Sequence, residues 1–395
     1  MKVYLDNGAT TKKDPEVVKA MLPYFTKQYG NPSSLHQFGR DAKETVDKAR
    51  KKISDKINAE PREVIFTSGG TESDNLAIFG TAYSQKDKGN HIITSKIEHH
   101  AVLNACKQLE KEGFKVTYLD VDEEGFVDLG QLEKSINEKT ILVTVIHANN
   151  EIGTIQDIEK IGEICKKKNV IFHTDAVQSF TKVPIDVKKI NVDLISLNSH
   201  KLHGPNGVGA LFIRKGVNLY KLSYGGSQEF NMRAGTENVA GIVGFAKAVE
   251  ISNEKDLKQM ANLRDKLINE ILNRIPETKL NGAKGDKRLC NNANISFNYI
   301  EGEALLLHLD MKGIAVSTGS ACSSKSLEPS YVLLAIGLKH EIAHGSIRFT
   351  LSKYTTEKEI DYTIKNLVEI VKNLRKISPL NKDFVYNKEE YAHAH

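Results

Sequence analysis

The chain has 395 residues, 40% of them apolar, which is ample for a large core, and its length favours two or three domains. Its 55 basic and 50 acidic residues leave a net charge of +5, mixed along the chain with no basic stripe that would suit nucleic acid or an anionic membrane. No apolar run approaches the roughly 20 residues that span a bilayer, and the amino terminus, MKVYLDNGATT, enters a strand pattern instead of a signal peptide, so the expected location is cytoplasmic.

In chain order, Pro15 opens a helix as its first-turn residue, and residues 41 to 58 read as a charged amphipathic helix. From residue 60 to 214, strand-like runs alternate with helical patterns: EVIFT, HIITS, KVTYL, TILVTVIH, VIFHTD, DLISL and VGALFIR. That alternation predicts an α/β fold, a mainly parallel sheet covered by helices on both faces. The turn after EVIFT, within TSGGTESDNLAIF, uses two glycines to bend tightly into a helix. The amides of Gly70 and Thr71 then point at a phosphate at the positive helix end. His99, in KIEHHAV, falls where HIITS gives way to a helix. It can cap that helix, stack over a flat cofactor or carry protons, and spacing does not separate it from His100.

HANNEIG follows TILVTVI, so Asn149 and Asn150 also sit at a strand end, where an amide can bond a phenolic oxygen or a carboxylate, or simply form a turn. Two further segments carry the main chemistry: HTDAVQ, with Asp175 ending a buried apolar run, and SHKLHGPNGVGAL, with Lys201 just beyond the next strand. A lysine that can hold an aldehyde as a Schiff base, paired with a carboxylate that keeps a pyridine nitrogen protonated, suggests pyridoxal phosphate. Open α/β sheets bind ligands at such strand ends.

After Thr236 the pattern is helical to about residue 275, with an interruption near Ser252-Asn253; NISFNYI and a tail helix over residues 357 to 374 follow. The expected domains are residues 14–253, binding the cofactor, and a smaller α+β unit of residues 254–395 on which residues 1–13 pack. Cys106, Cys165, Cys290 and Cys322 are widely spaced with no CxxC pair, which argues against a disulfide framework and against a metal site. Cys322 lies in STGSACSSKSLEPS, among small and polar residues suited to an accessible thiol. Arg348, in GSIRFTLSKY, reads either as a surface ion pair or as a guanidinium gripping a substrate carboxylate with two parallel hydrogen bonds.

Taken together, YLDNGATT, YGNPSSLHQFG, TSGGTESDNLAI, EHHAVL, HANNEIGTIQDI, HTDAVQ, SHKLHGPNGVGAL, MRAGTENV, STGSACSSKSLEPSYVL and SIRFTL make the chain resemble the cysteine desulfurases of the NifS/IscS type, from about residue 3 to 385. These belong to the class V aminotransferase branch of fold-type I pyridoxal phosphate enzymes, with a seven-stranded sheet. The resemblance implies that Lys201 carries the cofactor, Asp175 holds its pyridine nitrogen, Gln178 bonds its phenolic oxygen and His99 stacks on its ring. It further implies phosphate contacts from Gly70, Thr71 and His200, with Thr236 arriving from the other subunit of a homodimer. Asn150 and Arg348 hold the carboxylate of L-cysteine, and Cys322 accepts the sulfur as a persulfide destined for an iron-sulfur scaffold protein of the IscU/NifU type. Asn198 stands at a phosphate-contact position where the family usually has serine, Gly8 replaces a larger residue or alanine, and Asn206 replaces a common lysine. Rival readings are a selenocysteine lyase or aminotransferase on the same fold, and a scaffold-docking adaptor with weak catalysis.

Overall fold

The computed structural model describes residues 1–318 and 329–379. Its strands, in chain order, are β1 (Val3–Tyr4), β2 (Val64–Thr67), β3 (His91–Ser95), β4 (Lys115–Leu119), β5 (Thr140–Thr144), β6 (Ile171–Asp175), β7 (Leu194–Asn198), β8 (Gly209–Ile213), β9 (Thr278–Leu280), β10 (Asn292–Phe297), β11 (Ile314–Ala315) and β12 (Ser346–Thr350). Among the described residues, seven of them form one sheet in the order β2-β8-β7-β6-β5-β3-β4. Neighbours β4, β3, β5, β6 and β7 run parallel, while β8 is antiparallel to both β7 and β2. Six strands therefore point the same way, and their carboxyl ends share one edge of the sheet.

The sequence explains this burial. The strands β2, β3, β5, β7 and β8 are buried at every position and rich in Ile, Leu and Val, as expected when helices cover both faces. The helix Gln37–Lys56, longer at its start than the predicted 41 to 58, turns Ala42, Val46, Ala49 and Ile53 inward at helical spacing and packs on the helix Val239–Glu250. The predicted interruption near Ser252-Asn253 is a real break: the next helix, Glu254–Arg274, starts with Asn253 as its cap.

A second apolar cluster gathers around the three-stranded sheet β12-β10-β9. It joins Val3 and Leu5 from the amino terminus to residues between Leu267 and Leu374. Strand β1 pairs in parallel with β11, so the first residues of the chain are fixed against its last third. The tail helix, Glu357–Ile377, begins with a reciprocal cap between Thr356 and Glu359. Strand β12 corrects one expectation. It does not alternate between core and solvent but is buried throughout, because β10 lies beside it and the amino-terminal segment crosses it at Asp6. Arg348 is therefore 3% exposed, which removes its reading as a surface ion pair.

Candidate active site

A cleft of about 310 Å³ opens at the carboxyl ends of the parallel strands. It is lined by Gly70, Thr71, His99, Asn150, Asp175 and Gln178 from turns following β2, β3, β5 and β6. Asn198, His200 and Lys201 line it from the end of β7, and Arg348 reaches it from β12. Each strand end thus delivers one or two polar groups to a common volume. Thr236 is exposed and does not line the cleft of its own chain. Cys322 lies outside the described residues.

The lysine Lys201 donates from Nζ to the carbonyls of Gly8 (2.6 Å) and Ala9 (2.8 Å), and Gln178 Nε2 donates to the same Gly8 oxygen at 3.1 Å. The amino-terminal segment is therefore a wall of the site. A side chain at Gly8 would approach Thr350 to 3.1 Å and the Arg348 guanidinium carbon to 3.3 Å, so glycine lets this backbone lie close. Behind the lysine, Lys182 Nζ donates to the carbonyls of Gln178 (2.9 Å) and Lys201 (3.2 Å), bracing the two segments together. Burial pulls the Lys182 ammonium down to about 8.

Asp175 ends β6, fully buried, with Oδ1 accepting from Val177 N at 2.8 Å. Burial raises its carboxyl to about 6, partly offset by that bond and by the charge of Lys201. Two more buried carboxyls lie beneath it. Glu98 Oε1 accepts from Ser95 Oγ and from Ile146 N, while its Oε2 is buried without a hydrogen-bond partner. Burial, with some help from the charge of Asp175, pushes Glu98 up to about 8. Asp74 lines the cleft, with Oδ1 unpartnered and 3.7 Å from His173 Nε2, and is raised by burial and by Asp175. Burial thus favours the protonated form of both carboxyls.

His99 caps the helix His100–Lys111, its Nδ1 accepting from Ala101 N at 3.1 Å. Burial and the charges of Lys201 and His100 bring it down to about 4, so the ring is neutral and its proton sits on Nε2. The ring of His100 instead faces Tyr331, with centroids 4.9 Å apart. The helix Gly70–Gln85 starts against Val177, where a side chain at Gly70 would come within 2.6 Å of Cγ2. His200 Nδ1 lies 3.1 Å from Thr10 Oγ1, and its backbone amide donates to Asn198 Oδ1.

Across the cleft, Arg348 donates to Asp6 (2.9 Å) and to the Asn150 carbonyl (3.0 Å), while its Nε is buried with no hydrogen-bond partner among the described residues. Asn150 Oδ1 is buried and unpartnered too. Glu151 accepts a hydrogen bond from Ser330 Oγ; burial raises it to about 7 despite that bond and the charge of Arg348. Tyr331 donates to the Glu98 carbonyl. Sequence reasoning missed Asp6, Asp74, Glu98, Glu151, Lys182 and Tyr331 as parts of this site. Asp6 lies within the DNGATT motif, and Glu98 and Glu151 lie within EHH and NNEIG, so those motifs could have flagged them, but no pattern marked Lys182.

The residues fit pyridoxal phosphate. A buried carboxylate, a lysine and a glycine-started helix surround one cleft, and Asn150 Oδ1 and Arg348 Nε, on residues that line it, are left without a hydrogen-bond partner among the described residues. The family model for aminotransferase class-V matches residues 3–363. This chain belongs to that family. Its members are pyridoxal phosphate enzymes. The chain is 56% identical over 393 residues to a protein named cysteine desulfurase IscS from Clostridium botulinum, covering 98% of this chain and 99% of that one. A cysteine desulfurase IscS from Methanosarcina thermophila is 55% identical, with coverages of 96% and 94%. Among solved structures, a NifS-like protein superposes with a TM-score of 0.89 at 42% identity, covering 95% of this chain and all of that one. The structure of SspA in complex with cysteine gives 0.81 at 38% identity, covering 90% and 100%. Among the described residues, no helix is long and apolar enough to cross a membrane, and no group of three or more His, Cys, Asp or Glu could hold a metal.

Proposed function

We propose that this class-V aminotransferase family member is a cytoplasmic cysteine desulfurase, taking L-cysteine to alanine while its sulfur becomes a persulfide on Cys322. The observation that carries the substrate assignment is Arg348, a buried guanidinium with an unpartnered Nε in the same cleft as Lys201 and Asp175. Bound pyridoxal phosphate supplies an electron sink for the carbanion formed at the substrate Cα. Lys201 Nζ would hold the cofactor, and the same amine would serve as the base that moves the proton at the substrate Cα. Asp175 would keep a proton on the pyridine nitrogen; it is the carboxyl of the three whose charged form the neighbouring Lys201 favours. His99 would stack on the cofactor ring, and Gln178 and Asn150 would donate to its polar oxygens or to the substrate. The Arg348 guanidinium and the Asn150 amide orient the substrate carboxylate. Gly70, Thr71, Asn198 and His200 take the phosphate at the helix start.

The Cys322 thiolate attacks the substrate sulfur: its S–S bond forms as the Cβ–S bond breaks, Cβ takes a proton, and alanine leaves. The domains are residues 14–253 and 254–395, with residues 1–13 on the second. The active form is a homodimer in which Thr236 completes the phosphate site of the other subunit. Support comes from the exposed apolar side chains of Phe25, Tyr29, Leu35 and Phe38, and of Tyr224 and Phe230 in the segment that leads to Thr236. The sulfur passes to an iron-sulfur scaffold protein of the IscU/NifU type.

The test is peptide mass spectrometry after exposure to cysteine without reductant, beside an alanine assay. One added sulfur on the peptide containing Cys322, and loss of alanine production in Cys322→Ser with the visible cofactor band intact, are the expected results. Added sulfur only on Cys106, Cys165 or Cys290, or a fully active Cys322→Ser enzyme, would overturn the sulfur-carrier role.

A further inference from the structure

Residues Glu229, Phe230 and Asn231 all have positive φ, at 46°, 55° and 67°. L residues avoid this left-handed region because Cβ crowds the following carbonyl oxygen, and three non-glycine residues in a row need an outside hold. The hold is visible at both ends of the segment. At its start, Glu229 is 6% exposed and forms a two-pronged pair with Arg50, at 2.6 and 2.8 Å. The same carboxylate accepts from Phe66 N at 2.8 Å, and Arg50 donates to the Val64 carbonyl at 2.7 Å. Because β2 is an edge strand, the pair stands where a further strand would have bonded its free side. The guanidinium also lies over the rings of Phe66 and Phe230.

At the other end, Arg233 Nε donates to Glu72 Oε1 at 2.9 Å, and the second oxygen of Glu72 accepts from Ser68 N at 2.8 Å. Burial would raise the Glu72 carboxyl, but these bonds and the Arg233 charge bring it below its ordinary value. Glu72 lies in the first turn of the helix Gly70–Gln85, so it ties the segment to the Gly69-Gly70-Thr71 bend. Gly235 N donates to Gln228 Oε1 at 3.3 Å and closes the loop. Three residues beyond Arg233, Thr236 is exposed.

We propose that residues 229–235 form a rigid strut, held by Arg50–Glu229 and Glu72–Arg233, that presents Thr236 to the cofactor phosphate in the other subunit. The proposal rests on the homodimer reading above. Arg50, Glu229, Glu72 and Arg233 are then positioning residues, touching neither substrate nor cofactor. Through Glu72, the strut is also tied to its own chain's phosphate bend, so each bend helps to hold the loop that completes the other site.

The experiment uses mixed dimers of two differently tagged chains and follows the release of pyridoxal phosphate by its absorbance. In one arrangement, Lys201→Ala and Arg233→Gln are on different chains, so the one site able to hold the cofactor covalently receives an intact strut. In the other, both substitutions share a chain, and the intact site receives the broken strut. Release about 5-fold faster in the second arrangement is expected, the scale of a partly exposed ion pair. Faster hydrogen exchange over residues 228–236 in cofactor-free Arg233→Gln should accompany it, with little change in melting temperature. The homodimer Glu229→Gln, still a dimer by sedimentation, should show a larger acceleration of release. Equal release in the two arrangements overturns the strut. A monomeric wild type in sedimentation overturns the shared-site reading itself, a result distinct from a dimer with equal release.

Discussion

The two sides of the cleft are assembled differently. Its floor comes from strand ends of one sheet, where Asp175 closes a buried run and His99 and Lys201 stand a few residues past theirs. Its opposite wall comes from distant parts of the chain: Asp6 and Gly8, Glu151, Ser330 and Arg348. The floor holds three buried carboxyls, Asp74, Glu98 and Asp175, that burial drives toward their neutral forms. In the wall, Arg348 is paired with Asp6 and lies in the field of Glu151. A low-dielectric floor suits a cofactor whose charge it must tune, and a paired, preorganised wall suits a substrate carboxylate.

Substitutions on the two sides should separate accordingly. The largest effect belongs to the floor: Lys201→Ala should abolish both the visible cofactor band and alanine production, since only a primary amine there can hold the aldehyde. An unaltered spectrum in that variant would refute the assignment. In the wall, Arg348→Ala leaves Asp6 without its guanidinium and, on the proposed role, the substrate carboxylate ungripped. A loss of about 2 to 5 kcal/mol corresponds to roughly 30-fold to a few thousand-fold in turnover at low cysteine. The cofactor spectrum should be unchanged, and kinetics within a few-fold of wild type would remove Arg348 from the site.

A third variant tests the charge state of the floor. Glu98, raised to about 8, keeps its proton in the folded protein after the unfolded chain has lost it above about 4.5. Stability contributed by this group is therefore full below pH 4.5 and declines as pH rises toward 8. Glu98→Gln mimics the neutral acid, so the cofactor-free variant should gain on wild type by up to a few kcal/mol between pH 5 and 8. Denaturant unfolding at several pH values measures this, and parallel curves would show that Glu98 is ionised when folded. The smallest effect is Gly8→Ala. Contacts of 3.1 to 3.3 Å with Thr350 and Arg348 are tight but able to yield, so a few-fold rise in KM for cysteine at constant kcat is expected. A large fall in kcat would instead point to disruption of the Lys201 contact with the Gly8 carbonyl.

Much of the floor was legible in the sequence because its information is local. Buried β-branched runs mark parallel strands, and residues just beyond them share one sheet edge by the geometry of the βαβ unit. Gly70, Asp175 and Lys201 could thus be assigned to one site before any coordinates. The local signal did not separate His99 from His100; the hydrogen bond from Ala101 N to His99 Nδ1 and the packing of His100 on Tyr331 distinguish them.

The sequence by itself determined the alternating α/β pattern, the strand ends that carry polar groups and the glycine bend that opens the helix after β2, because period and turn chemistry act over a few residues. Only the tertiary structure decided that Arg348 is buried, that Gly8 and Ala9 wall the cleft, that Lys182 braces the Lys201 backbone and that Glu229 caps an edge strand. Those outcomes depend on which segments meet across hundreds of residues and on how far each meeting excludes water. Burial and partner together set the charge of a side chain, and neither is written in its neighbours along the chain.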